Sequence, residues 1–302
     1  MDDFQDLAAL FADMETSSFG ATSCLVRARE SGSHERVVVK ALNLEHIDVP
    51  AIRDRFVREG QILRTLKSRY LPKVLGCGST SRNRPYLVLE YLEGRDLQTE
   101  LDARLRLPPK TAIRIASDVC AALKVAHAAG VVHRDIKPGN IFLTSERAML
   151  IDFGIAKAPT PIDARSTSVR DALGTPNYMA PEQVRCSARV DGGADVWSLG
   201  IVLFEMLTGR LPFRGNDALS TMKAILETPA PSLSEIGRFP SGLSVIVLRC
   251  LAKPPDLRWT SVDALQRALD NLERSIAPED PAESFADAET MPLPDGFDAS
   301  AR

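Results

Sequence analysis

Residues 133–140 read His-Arg-Asp-Ile-Lys-Pro-Gly-Asn, and twelve positions after Asn140 come Asp152, Phe153 and Gly154. Two carboxylates, an amide and a lysine at these spacings are the parts that phosphoryl transfer requires. It needs a carboxylate to take or orient a hydroxyl proton, and oxygen ligands to hold Mg²⁺ against nucleotide phosphates. Asp135 can be the base or hydroxyl-orienting group, Asn140 can give one metal ligand, and Asp152 can give the stronger, charged one. Lys137, two positions beyond Asp135, can neutralise charge on a transferring phosphoryl. A lone three-residue match in 302 residues carries little weight, so the reading depends on whether other ordered segments supply the remaining parts.

They do. The ordered set resembles the eukaryotic-like (Hanks-type) Ser/Thr protein kinases, with a bacterial flavour in Met179-Ala180-Pro181-Glu182-Gln183. Lys137 sides with Ser/Thr kinases rather than tyrosine kinases, which usually lack a lysine there. The resemblance covers roughly residues 16–272 and implies an α+β, bilobal fold. A small β-rich nucleotide-binding lobe over 1–92 would be followed by a larger helical lobe over 93–276 and an acidic, disordered tail over 277–302. It also implies transfer of the γ-phosphoryl of ATP, with Mg²⁺, to Ser or Thr of protein substrates, the chain itself among them. The competing reading is a pseudokinase-type binding or scaffold module, suggested by a degraded glycine-rich loop. Against it, Lys40, Asp135, Asn140 and Asp152 are all kept.

The elements that must position these groups follow in order. Residues 4–15 are expected to form a short first strand. Residues 18–25 align on the G-x-G-x-x-G-x-V loop with only Gly20 kept; Ser18 and Ser23 stand for the other glycines and Leu25 for the valine that packs on adenine. A Cβ at Ser18 or Ser23 is expected to penalise positive φ by roughly 1 kcal/mol and to keep the loop backbone farther from the phosphates. Val37-Val38-Val39-Lys40 is a β-branched strand ending in a lysine. By resemblance, Lys40 meets the α- and β-phosphates and pairs with Glu59 on a helix over 49–67, nineteen positions on. Strands over 73–77 and 85–91 lead into a hinge where Leu89 gates the pocket and backbone groups of Glu90 and Leu92 bind the adenine edge. Val38 and Phe142 complete the implied nucleotide-contacting set.

In the second half, helices are expected over 97–105 and 109–129, the latter closed by Gly130, and over 194–208, 219–227, 241–251 and 261–276. His127 and His133 read as structural, His133 packing under Phe153, and neither is assigned a metal. Arg134 would await a phosphate on the activation loop over 152–182, with Thr167 first choice and Ser168 second among Thr160, Ser166, Thr167, Ser168 and Thr175. Thr175 would bridge Asp135 and Lys137, Glu182 would form a buried ion pair with Arg258, and Asp195 would hydrogen-bond the backbone around Asp135.

A formal net charge of -3 gives no reason to expect nucleic acid or an acidic membrane as the main partner. Five scattered cysteines without a Cys-x-x-Cys pair indicate neither a disulfide framework nor a zinc site, and point to a reducing compartment. No window reaches the ~18 apolar residues of a membrane span, so a cytoplasmic location is expected.

Overall fold

The computed structural model of the chain describes residues 5–20, 22–153, 176–185 and 190–276. Its first lobe is an antiparallel sheet of order β1-β2-β3-β5-β4. The strands are β1 (Phe11–Phe19), β2 (Ser23–Glu30), β3 (Arg36–Leu42), β4 (Val74–Ser79) and β5 (Pro85–Glu90), with helix α1 (Pro50–Thr65) between β3 and β4. The first strand therefore starts later than the sequence suggests. Residues 5–10 form turns, and Leu7 plugs the sheet together with Phe11.

The period-2 alternation of strands sorts the side chains into two faces. Cys24, Val26, Ala28, Val37, Val39, Ala41 and Val88 bury one face under Leu7 and Phe11. The register pairs Leu25 with Lys40, Lys40 with Leu87 and Val38 with Leu89, so these residues share the opposite face. There Leu42 and Leu87 pack against Phe56 of α1. A Cβ on Gly60 would stand 2.4 Å from Leu87 Cδ2, so glycine is what lets α1 lie this close to β5.

The second lobe begins with a small sheet of β6 (Arg95–Asp96), β7 (Ile141–Leu143) and β8 (Ala148–Leu150), and with helices α2 (Leu97–Arg104) and α3 (Pro109–Ala128). Helices α4 (Pro181–Val184), α5 (Gly193–Thr208), α6 (Ala218–Glu227), α7 (Leu243–Cys250) and α8 (Val262–Ser275) follow. Gly130 takes φ 74° directly after α3 and turns the chain towards residues 133–140. Helix α5 is buried almost all round, as its nearly unbroken apolar sequence requires. Its Trp197 stacks on Phe213 with ring centroids 5.5 Å apart. Helix α8 docks on α3, where Ser117 Oγ donates to Asp270 Oδ1 at 2.5 Å and Arg114 pairs with Glu273 at 3.0 Å.

Arg258, fully buried, grips Glu182 with two parallel bonds of 2.8 Å and spends its other donors on the carbonyls of Ala252, Gly193 and Lys253. A buried bidentate pair with every donor used is costly to break from one side, because the remaining charge is stranded. Arg258→Met should therefore lower unfolding free energy by roughly 3–5 kcal/mol. Urea denaturation at pH 7 measures this; a loss below about 1 kcal/mol would mean that Glu182 finds solvent or another partner.

Candidate active site

Lys40 leaves β3 on the face turned away from the Leu7 cluster and meets Glu59 from α1, Nζ to Oε1 at 2.8 Å. The same ammonium also contacts Asp152 Oδ1 from the far lobe. Glu59 is 1% exposed because Phe56 and Gly60, on the same helix stripe, are pressed against the sheet. Burial pulls the Lys40 ammonium down, but Asp152 and Glu59 overcome it and hold it well above the ordinary lysine range. For Glu59, burial wins over Lys40 and the carboxyl is raised. Asp152 goes the other way: burial opposes its charge, yet Lys40 prevails and keeps it below the usual carboxylate range.

The second cluster hangs on α5. Asp195, fully buried on its first turn, accepts from His133 N at 2.9 Å and Arg134 N at 2.8 Å, and its Oδ2 lies 2.7 Å from His127 Nε2. Arg134 is held in the left-handed region at φ 65°, which turns the chain so that Asp135, Lys137 and Asn140 converge. Asn140 Nδ2 donates to Asp135 O at 2.7 Å and Oδ2 at 3.1 Å, and Lys137 Nζ lies 3.3 Å from the same carboxylate oxygen. His133 Nδ1 accepts from Asp135 N, and burial pushes its imidazole down, in keeping with the neutral ring that this bond requires. Its ring packs on Phe153 at 4.7 Å, as the sequence suggests. Ile151 N donates to Asn140 O at 2.8 Å, which ties this loop to the stretch carrying Asp152.

Of the remaining sequence-predicted residues, Gly20 lies at the β1–β2 turn and Ser18, Ser23 and Leu25 in its arms. Here one expectation fails: neither Ser18 nor Ser23 has positive φ, because strand pairing continues through both, as Ser18 with Leu25 and Ser23 with Leu42. A Cβ at these positions meets no backbone penalty. Leu25, Val38, Leu89 and Phe142 are half-buried, the first three on the same sheet face as Lys40. At the hinge, Glu90 N donates to Lys73 O at 3.0 Å and its carboxylate accepts from Lys73 N, while Leu92 is half-buried beyond it. Thr160, Ser166, Thr167, Ser168 and Thr175 lie outside the described residues, as does the tail.

The sequence gives no warning of three further contacts. Gln183 Nε2 donates to Arg134 O at 3.1 Å, Tyr178 Oη to Glu205 Oε2 at 2.7 Å, and Asn43 Nδ2 to Gly20 O at 2.9 Å. For Gln183 the Met-Ala-Pro-Glu-Gln stretch marks the neighbourhood without marking the bond.

Residues 14–269 match the family model described as protein kinase domain. The chain is 34% identical over 284 residues to serine/threonine-protein kinase PknB of Mycobacterium tuberculosis, covering 92% of this chain and 45% of that one. It is 35% identical to serine/threonine-protein kinase PksC of Streptomyces coelicolor, covering 82% of this chain and 46% of that one. It thus spans less than half the length of these relatives. Among solved structures, the kinase domain of Mycobacterium tuberculosis PknI superposes with a TM-score of 0.66 at 25% identity, covering 87% of this chain and 96% of that one.

The ion pairs make a pH-dependent prediction. Asp152, depressed in the folded state, contributes stability that is present above its unfolded pKa and lost as pH falls through its folded one. Lys40, raised, keeps its contribution across the neutral range and loses it only as pH rises through its folded value. Lys40→Met leaves Glu59 buried without a counter-ion, so it should cost about 3 kcal/mol at pH 7. That penalty should shrink as pH falls from 7 towards about 4 and the carboxyls take up protons. Parallel urea titrations of parent and variant at both pH values measure it, and a penalty independent of pH would contradict the assigned charges.

Proposed function

The chain belongs to the protein kinase family, in its bacterial Ser/Thr branch, and we propose that it transfers the γ-phosphoryl of ATP to serine or threonine hydroxyls of proteins. The observation that carries this reading is the convergence of Asp135, Lys137 and Asn140 beside the Lys40–Glu59–Asp152 triad. A pseudokinase-type scaffold would need none of these groups placed together.

Asp135 orients the substrate hydroxyl and accepts its proton; the bond from Asn140 Nδ2 to the same carboxylate fixes its rotamer. Lys137, 41% exposed, can move from Asp135 to the transferring phosphoryl and screen its charge. Lys40 holds the nucleotide phosphates while Glu59 keeps its ammonium aimed and charged. Leu25, Val38, Leu89 and Phe142 enclose the adenine ring. Glu90 has spent its N–H on Lys73, so it meets the adenine edge only through its carbonyl, with Leu92 supplying the second backbone contact.

The donor set fits Mg²⁺. Asp152 commits Oδ1 to Lys40 and is 46% exposed, and Asn140 commits Nδ2 to Asp135, which leaves a carboxylate oxygen and an amide oxygen. Hard oxygen donors in that number are what this ion takes from a protein when phosphates supply the rest. Held by Asp152 and Asn140, it would supply positive charge that offsets the negative charge of the nucleotide phosphates. Among the described residues no helix is long and apolar enough to cross a membrane; use of ATP as the phosphoryl donor supports a cytoplasmic location in this reading.

Autophosphorylation belongs to the same proposal. Arg134 buries its Nε without an acceptor among the described residues, and its Nη2 reaches Val190 O only at 3.4 Å. A phosphate on the segment carrying Thr167 and Ser168 would supply the anion this guanidinium lacks. Mass spectrometry of protein incubated with Mg²⁺ and ATP should find phosphate at Thr167, or next at Ser168; phosphate only at Ser284 or Thr290 would contradict this.

The direct test uses radiolabelled ATP and a generic protein substrate. Asp135→Asn should bind ATP nearly as the parent does and lose turnover by about two orders of magnitude or more. Asp152→Asn should in addition weaken Mg²⁺-dependent nucleotide binding. Parent-like phosphorylation by both variants would overturn the assignment.

A further inference from the structure

The β1–β2 turn, which the proposed function places over the nucleotide phosphates, is held from behind by one residue that the phosphoryl-transfer machinery does not include. Asn43, immediately after β3, donates its backbone N–H to Thr22 O at 2.9 Å and its side-chain Nδ2 to Gly20 O at 2.9 Å. Gly20 N in turn donates to Ser23 O at 2.9 Å. Two carbonyls of the turn are thus tied to a single asparagine.

That asparagine has a rigid mount. Arg84, 1% exposed, donates from Nε to Leu42 O at 2.6 Å, one position before Asn43. Its Nη2 reaches Cys24 Sγ at 3.3 Å, one position after Ser23, and its Nη1 pairs with Asp6 at 3.3 Å. The guanidinium therefore ties Cys24, at the β2 root of the turn, to Leu42, at the end of β3 beside Asn43, and pairs the N-terminal segment to them through Asp6. Asn43 Oδ1 is buried with no partner among the described residues, so the amide is not placed there to satisfy itself.

We propose that Asn43 is a positioning residue for the nucleotide phosphates, an inference that rests on reading the turn as the phosphate-covering loop. A trans peptide unit points its C=O and the next N–H in opposite directions. The backbone N–H of residue 43, which any side chain leaves in place, draws the Thr22 carbonyl and sends the Ser23 N–H the other way, while the Asn43 side chain draws off the Gly20 carbonyl, a dipole that would repel an anion. The bond from Asn43 Nδ2 to Gly20 O is thus the part of this clamp that a substitution at position 43 removes.

The test is calorimetric titration of the whole chain with ATP plus Mg²⁺ and with adenosine, for the parent, Asn43→Ala and Asn43→Leu. Adenosine carries no phosphate, so a positioning role is expected to weaken ATP about tenfold in both variants while adenosine binding stays within about twofold of the parent. In turnover assays the loss should appear in KM more than in kcat. Variants that bind ATP as the parent does, or that lose ATP and adenosine alike, overturn the assignment, the second outcome marking Asn43 as structural. A parent that binds no ATP overturns instead the reading of the chain as a phosphotransferase, and this inference with it.

Discussion

An ammonium as enclosed as that of Lys40, whose side chain is 8% exposed, stays charged only with anions in contact, and that requirement organises the molecule. One anion must come from a helix packed tightly on the sheet, which fixes α1 through Phe56, Gly60 and Leu87. The other comes from Asp152, so the same charge joins the two lobes. A strand-ending lysine with its side chain in solvent would impose neither constraint.

The parts legible in the sequence are those whose signal is periodic or typed. The β-branched run Val37–Val39 predicts a strand, and the apolar stripe of residues 52–66 predicts the helix that carries Glu59. The boundaries of the helices expected in the second lobe fall within two residues of expectation, marked by Pro, Gly, Ser and Asp, whereas the short α4 is not among those expected. Asp195, Glu182 and Arg258 are legible only through the family resemblance, since a charge in an apolar helix or a loop does not by itself name its partner.

Apart from the side-chain pair Tyr178–Glu205, what could not be read follows one physical pattern. Asn43, Gln183 and Arg84 bond to backbone carbonyls, at Gly20, Arg134 and Leu42. A carbonyl is present at every position, so no residue type betrays which one is used. The reverse error came from type alone: serine in place of glycine suggested strain at Ser18 and Ser23, whereas the strand register gives both ordinary φ values.

Strain exists in the site, but elsewhere. Among the described residues, Arg134 at φ 65° and Asp152 at φ 57° are left-handed without being glycine, a conformation that costs roughly 1–2 kcal/mol per residue. Each is held by one buried charged group: the Arg134 N–H by the carboxylate of Asp195, and the Asp152 carboxylate by the ammonium of Lys40. Buried charges are poor general stabilisers, since apolar residues of similar volume often do as well. They differ from apolar residues in direction, because a carboxylate fully enclosed in α5 accepts only from donors at set angles. Packing against a leucine would let residues 133–135 relax to a right-handed turn and carry Asp135 away from Lys137 and Asn140. The charges are therefore spent on geometry, and they sit at the two places where the backbone would otherwise leave it.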